Sequence, residues 1–321
     1  MLRRLAKALA RTMISGTPFK KRLLLMAASM PCSFKNRFFK YPLVLRAFSA
    51  LLFRFRTRPS FPIRTNLGIS DATDVELPST LAHPLHLFGT PSLYRGERGP
   101  LLLAQHLSRH CHTFVDIGAH IGYYTHFIQA HATRPLVVYY FEPDPELYGI
   151  IQGNLARARV RHVYGFNQAI GATGGRAQFF LDIDNSSMSS LISDAGHPVQ
   201  SIVVEVVTFD AFAQQAGLGD DYLVKVDIEN AEWAFVEGAR TALASMPYLI
   251  LEILGPARHR GLIDHLIRGF GFRCYYINGL TLELMEADDH RYSSGEWNFL
   301  FCRDSPAQLR QKIGPSPLQV A

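Results

Sequence analysis

The 321-residue chain is poor in cysteine, and what it has is scattered. Cys32, Cys111, Cys274 and Cys302 have neither the spacing of a zinc site nor the density of a disulfide scaffold, so a reducing compartment is the default expectation. No uncharged apolar run reaches about 18 residues, which leaves no candidate for a membrane-spanning helix. Acidic residues are missing from the first 70 positions, where 15 Lys and Arg stand alone before Asp71. From Asp71 onward 18 basic residues meet 27 acidic ones, a net of −9, although the whole chain carries +6. That argues against the body of the protein being a nucleic-acid binder, which usually needs a basic face. At 48% hydrophobic and 19% charged residues, a disordered or collagen-like chain is excluded too.

The basic segment is also apolar. Leu2, Leu5, Leu9 and Met13 share a helical stripe, and Arg3, Arg4, Lys7 and Arg11 fall mostly off it. Such a helix suits an anionic membrane surface. An arm packed on the main domain and an Arg-rich organellar targeting segment are the other readings. The apolar run at 23–30 starts late and lacks a clean cleavage site, so a secretory signal fits poorly. The expected location is cytoplasmic, with peripheral contact to the inner membrane through this segment. The expected division is a basic extension over 1–70, a catalytic domain over 71–304 and a tail over 305–321.

Residues 57–100 are rich in Pro and Gly and lack periodicity, and Thr57-Arg58-Pro59-Ser60-Phe61-Pro62 looks like a linker. Order then begins. Apolar runs predict buried strands at 113–117, 136–141 and 163–167, and amphipathic spacing predicts helices at 121–131 and 145–158 between them. Further strands are expected at 177–181, 202–207, 222–226, 248–252, 272–277 and 298–301, with helices at 209–215, 232–244 and 258–270. Strands alternating with helices predict a doubly wound α/β domain of about seven strands with a mostly parallel sheet.

Three strand ends carry chemistry. Asp116-Ile117-Gly118-Ala119-His120-Ile121-Gly122 leaves a strand and enters a helix, with glycines that let backbone approach a ligand. It lacks the third glycine of the dinucleotide fingerprint and the Lys-Ser/Thr of a P-loop. An acid before the first glycine repels a pyrophosphate and attracts a cationic amino-acid ligand, which favours S-adenosylmethionine over NAD. Glu142, in Phe141-Glu142-Pro143-Asp144-Pro145, ends the second strand, where an acid accepts ribose hydroxyls. Val224-Lys225-Val226-Asp227-Ile228-Glu229 brings Asp227 to the sheet's carboxyl edge, with Glu229 and Glu232 following. Acids in a first helical turn also serve the helix dipole, which accounts for Glu232 better than for Asp227.

With Asn167-Gln168-Ala169-Ile170-Gly171, Ser186-Ser187-Met188-Ser189-Ser190-Leu191, Val207-Thr208-Phe209-Asp210, Glu237-Gly238-Ala239 and Leu251-Glu252-Ile253, these pieces form an ordered set over about 110–302. The set resembles the FkbM family of S-adenosylmethionine-dependent methyltransferases. The resemblance implies a class I methyltransferase fold and methyl transfer to oxygen, commonly on glycans or polyketide-like products. It implies that Asp116, Gly118, His120 and Gly122 line the donor, that Glu142 holds its ribose and that Asn167, Gln168 and Ala169 approach its adenine. Asp227 would face the methyl. The chain departs from the family at His120, where Asn is usual, and at Asn230, where Gly is usual; Asn tolerates left-handed backbone.

Methyl transfer to a hydroxyl needs alignment and benefits from a base. Asp227 is the first candidate and Glu229 the second, with Glu252 able to join them and His120 and His126 as alternatives. The same carboxylates are oxygen ligands suited to Mg²⁺ or Ca²⁺, but no spacing fixes a coordination set and no metal is assigned. The polar loop over 182–201 can close over a sugar or lie solvated. The expected activity is an O-methyltransferase acting on a sugar, glycan or glycolipid hydroxyl. The alternative is a non-catalytic adenosyl-ligand-binding scaffold at a membrane surface, and an NAD-dependent oxidoreductase fits least.

Overall fold

A computed structural model describes residues 62–65, 75–78, 95–182, 189–192, 199–253, 256–286 and 298–321. The amphipathic stripe at the N-terminus and Ser186 to Met188 lie outside them. The chain divides after Arg95 into two units. In the first, β1 (Pro62–Thr65) and β2 (Val75–Pro78) pair antiparallel, and Arg64 Nε donates to Glu76 Oε2 at 3.2 Å across the pair.

The second unit begins within helix α1 (Arg95–Ser108), which is followed by β3 (Thr113–Ile117), α2 (Tyr123–Ala130), β4 (Val137–Phe141), α3 (Pro145–Arg157) and β5 (Val163–Phe166). Next come β6 (Ala169–Ile170), β7 (Gly175–Asp182), β8 (Val199–Val207), α4 (Phe209–Ala216), β9 (Tyr222–Val226), α5 (Glu232–Gly238), α6 (Arg240–Ser245) and β10 (Tyr248–Glu252). The unit ends with α7 (Pro256–Phe270), β11 (Arg273–Asn278), β12 (Thr281–Met285), β13 (Asn298–Cys302), α8 (Pro306–Ile313) and β14 (Gln319–Val320).

One sheet runs β14-β12-β11-β13-β10-β9-β3-β4-β5, and a second, small sheet runs β6-β8-β7. The strands from β10 to β5 are parallel, and β13 enters antiparallel between β10 and β11. This is the expected α/β fold with a large, mostly parallel sheet. The sheet is wider than the expected seven strands. Gly279, with φ of 57°, begins a two-residue turn that folds β12 back on β11, and β14 then pairs parallel with β12. Residues 305–321, read from sequence as a tail, therefore form α8 and the edge strand β14.

Two helices also differ from expectation. The helix expected over 232–244 breaks at Ala239. The Asp210 carboxylate accepts from Thr241 N at 2.9 Å and Ala242 N at 2.8 Å, so it satisfies the first amides of a new helix, α6. Helix α1 begins at Arg95, inside the stretch that shows no periodicity in the sequence.

Burial explains the strand composition. All five residues of β9 are buried, and so are the last four of β3, as expected for strands covered on both faces. Phe141, Phe166 and Phe212 pack together beside β4, with ring centroids 4.8–5.6 Å apart. The chain turns one way from β3 to β4 and the other way to β9, so the carboxyl ends of these three strands flank the switch point where open α/β sheets bind ligands. Asp116, Glu142 and Asp227 all lie there.

Candidate active site

The loop after β3 is held by backbone. Gly118 N and Ala119 N both donate to Phe141 O, at 3.1 and 3.0 Å, and Asp227 N donates to Ile117 O at 3.0 Å. Gly118 has φ of 79°, and a Cβ there would lie 1.8 Å from Asp227 O, so only glycine fits. His120 and Gly122 are also left-handed, with φ of 54° and 77°. Asn is favoured in that conformation and His is tolerated, which accounts for this departure from the family pattern. Asn230 likewise keeps left-handed backbone, at φ 74°, directly after Glu229 at φ 50°.

Asp116 is 1% exposed. Its Oδ2 accepts from Thr125 N at 3.0 Å and Thr125 Oγ1 at 2.7 Å, fixing the first turn of α2. Its Oδ1 is buried with no partner. Burial raises this carboxyl, with Lys225 and the Thr125 bonds pulling it back. An unsatisfied buried acceptor costs about 1–3 kcal/mol. A ligand donor would offset that cost.

Glu142 is buried at the end of β4. Its Oε2 accepts from His120 N at 2.7 Å and its Oε1 from Asp144 N at 2.9 Å, so it ties the first loop to the N-terminus of α3. Two of about four carboxylate acceptor positions remain for a ligand. Burial pushes its carboxyl up to about 8 despite the two amides. Asn167 is exposed, and its Nδ2 donates to Glu142 O at 2.8 Å and Pro143 O at 3.1 Å. Its amide thus braces the Glu142 loop. Gln168 is half-buried and Ala169 is buried in β6.

The third strand end builds a carboxylate cluster around one cation. Lys225 is 2% exposed, and its Nζ donates to Asp227 Oδ2 at 2.6 Å and lies 4.6 Å from the centroid of the Tyr124 ring. Burial would lower this ammonium, but Asp227, Glu97, Asp116 and Glu252 together hold it above the usual lysine range. Tyr124 Oη donates to Glu97 Oε2 at 2.6 Å. Burial raises the Glu97 carboxyl, with Lys225 opposing. The charge of Asp227, with burial, pushes Glu252 up to about 10. Burial, then Asp227 and Glu232, push Glu229 up to about 8, and its Oε2 is buried without a partner. Ser190 Oγ donates to Ile228 O at 3.2 Å and also to Glu229 O, so it anchors the turn that carries Glu229.

The structure thus brings Asp116, Gly118, His120, Gly122, Glu142, Asp227 and Glu229 to one sheet edge. It sets His126 apart, since its buried Nε2 has no partner and burial lowers its imidazole to about 4. Sequence reasoning did not find Glu97. Among the described residues, no group of three or more His, Cys, Asp or Glu is arranged to hold a metal ion.

Residues 116–274 match the Methyltransferase FkbM domain. No curated protein sequence matches the chain. Among solved structures, it is similar to methyltransferase FkbM from Methylobacillus flagellatus KT, at 19% identity and a TM-score of 0.40, over 70% of this chain and 53% of the other. The chain therefore spans about half the length of that protein. It is also similar to the METTL16 MTase domain, at 12% identity and a TM-score of 0.40, over 84% of this chain and 83% of the other. The O-methyltransferase from Bacillus cereus in complex with SAH matches at 13% identity and a TM-score of 0.34, over 64% of this chain and 79% of the other. The motif set, the sheet order and the domain match agree, and the chain carries, across residues 116–274, a domain of the FkbM methyltransferase family.

Proposed function

We propose that the chain is an S-adenosylmethionine-dependent O-methyltransferase acting on a sugar hydroxyl of a glycan, glycolipid or related product. The observation that carries this reading is the convergence of Asp116, Glu142 and Asp227 at the switch point, each with a separate task. Asp116 Oδ1 is an acceptor without a donor, which suits the ammonium of the methyl donor. Glu142 has acceptor capacity for ribose hydroxyls, and Gly118 lets the loop after β3 lie directly against the Asp227 carbonyl. The donor supplies a methyl on a positively charged sulfur, already activated for displacement. Asp227, half-buried and held by Lys225, takes the proton of the acceptor hydroxyl as that hydroxyl's oxygen bonds to the methyl carbon and the C–S electron pair leaves on sulfur. Glu229, next on the same segment, supports that step as a second acidic group. A rim with more acceptors than donors suits a hydroxyl-rich partner.

Calorimetry with S-adenosylmethionine and S-adenosylhomocysteine tests the donor site. Glu142→Gln should weaken both by about 1.5–3 kcal/mol, as for lost hydrogen bonds to a charged group. A folded wild type that binds neither removes the enzyme reading. The basic extension is proposed to hold the protein at an anionic membrane from the cytoplasmic side. Deleting residues 1–56 should abolish sedimentation with anionic liposomes, and unchanged sedimentation removes that idea. Among the described residues, no helix is long and apolar enough to cross a membrane.

A further inference from the structure

Asn298, the first residue of β13, is 5% exposed, and its Oδ1 is buried with no hydrogen-bond partner. Its place in the sheet is fixed by register. Asn298 is directly opposite Glu252 in the antiparallel pair β10–β13, so the two side chains share a face as close neighbours. Ile250 pairs with Lys225, and Lys225 with Asp116. Side chains alternate along a strand, so Glu252 lies on the face of Lys225, two positions beyond Ile250. Asp116, Lys225, Glu252 and Asn298 therefore line one face of four adjacent strands, all at the carboxyl edge of the parallel block. Asp116 lies at the donor end of this row, and Asn298 lies at the other end, beyond Asp227.

We propose that Asn298, with Glu252 beside it, binds the methyl acceptor: Asn298 Oδ1 accepts a hydrogen bond from a second hydroxyl of the acceptor, not the one that is methylated, and the Glu252 carboxyl holds that same second hydroxyl from the neighbouring strand. The inference rests on the reading of the chain as an O-methyltransferase and adds to it the residue that recognises the substrate. The cluster gives the reason for an amide there. Asp227, Glu229 and Glu97 already crowd this edge with carboxylates around a single lysine. A neutral acceptor at position 298 receives a hydroxyl without adding another charge. The Glu252 carboxyl, held protonated in the same crowd, donates to the hydroxyl oxygen. That second hydroxyl then has a donor and an acceptor fixed on two paired strands, which leaves the reacting hydroxyl free to face Asp227, and alignment is what methyl transfer needs.

The test uses the full chain, tritiated S-adenosylmethionine and a panel of p-nitrophenyl glucosides, galactosides, mannosides and fucosides. Asn298→Ala and Glu252→Gln should leave S-adenosylhomocysteine affinity within twofold. Each should raise KM at least tenfold, and change kcat less, for the glycoside that the wild type methylates. Asn298→Leu, which replaces an unpartnered oxygen by an apolar group of similar size, should lose the same affinity with no fall in Tm. Equal KM values for wild type and Asn298→Ala overturn the inference alone, and so does a tenfold loss of S-adenosylhomocysteine affinity. A fall of more than 10 °C in Tm for both Asn298 variants makes the residue structural and also overturns it. A wild type that binds S-adenosylhomocysteine and methylates no glycoside overturns the sugar reading, and the inference falls with it.

Discussion

Lys225 Nζ lies 2.6 Å from Asp227 Oδ2, with the lysine side chain 3% exposed and the aspartate side chain 26% exposed. The buried partner is the cation, and it faces Glu97, Asp116 and Glu252 as well. Lys225→Met removes the cation that these carboxylates surround. Stranding buried charge in this way typically costs about 3–5 kcal/mol. Chemical denaturation should show a loss of that order, and the double variant with Asp227→Asn should lose less than the two single losses added together. Additive losses would mean that the pair is not coupled.

Gly118→Ala tests the close approach of β3 and β9. The new Cβ would meet the Asp227 carbonyl oxygen and would also have to adopt φ near 79°. Neither strand end can give way without moving Asp227 or the Phe141 carbonyl that receives the Gly118 and Ala119 amides. The variant should be strongly destabilised and should not bind S-adenosylhomocysteine. His120→Asn is the contrast, since it keeps left-handed backbone and should leave Tm within a few degrees of wild type. A tolerated Gly118→Ala, seen in thermal unfolding, would refute the steric account.

The part of the candidate site built by the ends of β3, β4 and β9 was legible in the sequence because its signals are local. Asp116, Glu142 and Asp227 each end an apolar run and precede a helix, so their edge positions follow from periodicity. Glu97 was hidden by its neighbours. Gly96, Gly99 and Pro100 end a Pro- and Gly-rich stretch without periodicity, yet Gly99 is needed because a Cβ would lie 2.0 Å from Gly279 O. The hairpin of β11 and β12 had a signal in Gly279, the first residue of its two-residue turn. Helix α8 had one too, in the capping box of Ser305 and Gln308. Asn298 had none. It matters only because it pairs with Glu252, a contact between strands far apart in the chain.

His126 should give the chain a specific weakness in acid. Its imidazole is near 4 when folded against 6.5 when unfolded, because burial disfavours the cation. The stability at issue is present above 6.5 and is lost as pH falls towards 4, by about 3 kcal/mol in full. The raised carboxyls act in the opposite sense. The contribution of Glu142 is present below its ordinary value of 4.5 and is lost as pH rises through about 8. The two are separated by comparison with His126→Leu, whose stability should fall less than that of wild type between pH 7 and 4. Parallel curves for the two proteins would show that His126 is not held neutral.

Donor binding should release protons, more for the charged donor than for its product. Glu142 and Glu229 are pushed up to about 8 and Glu252 to about 10, so near pH 7.5 these carboxyls hold protons in the ligand-free protein. S-adenosylmethionine and S-adenosylhomocysteine share an ammonium, but only the former carries a sulfonium charge. A cation beside these groups favours their ionised forms, so each lowered carboxyl gives up its proton. Calorimetric titration in phosphate and in Tris, whose ionisation enthalpies differ widely, reads the number released from the difference in observed heat. S-adenosylmethionine should release more than S-adenosylhomocysteine, and Glu252→Gln should narrow the gap. Equal proton release by both ligands would place the sulfonium away from the Lys225 cluster, and with it the reacting methyl away from Asp227.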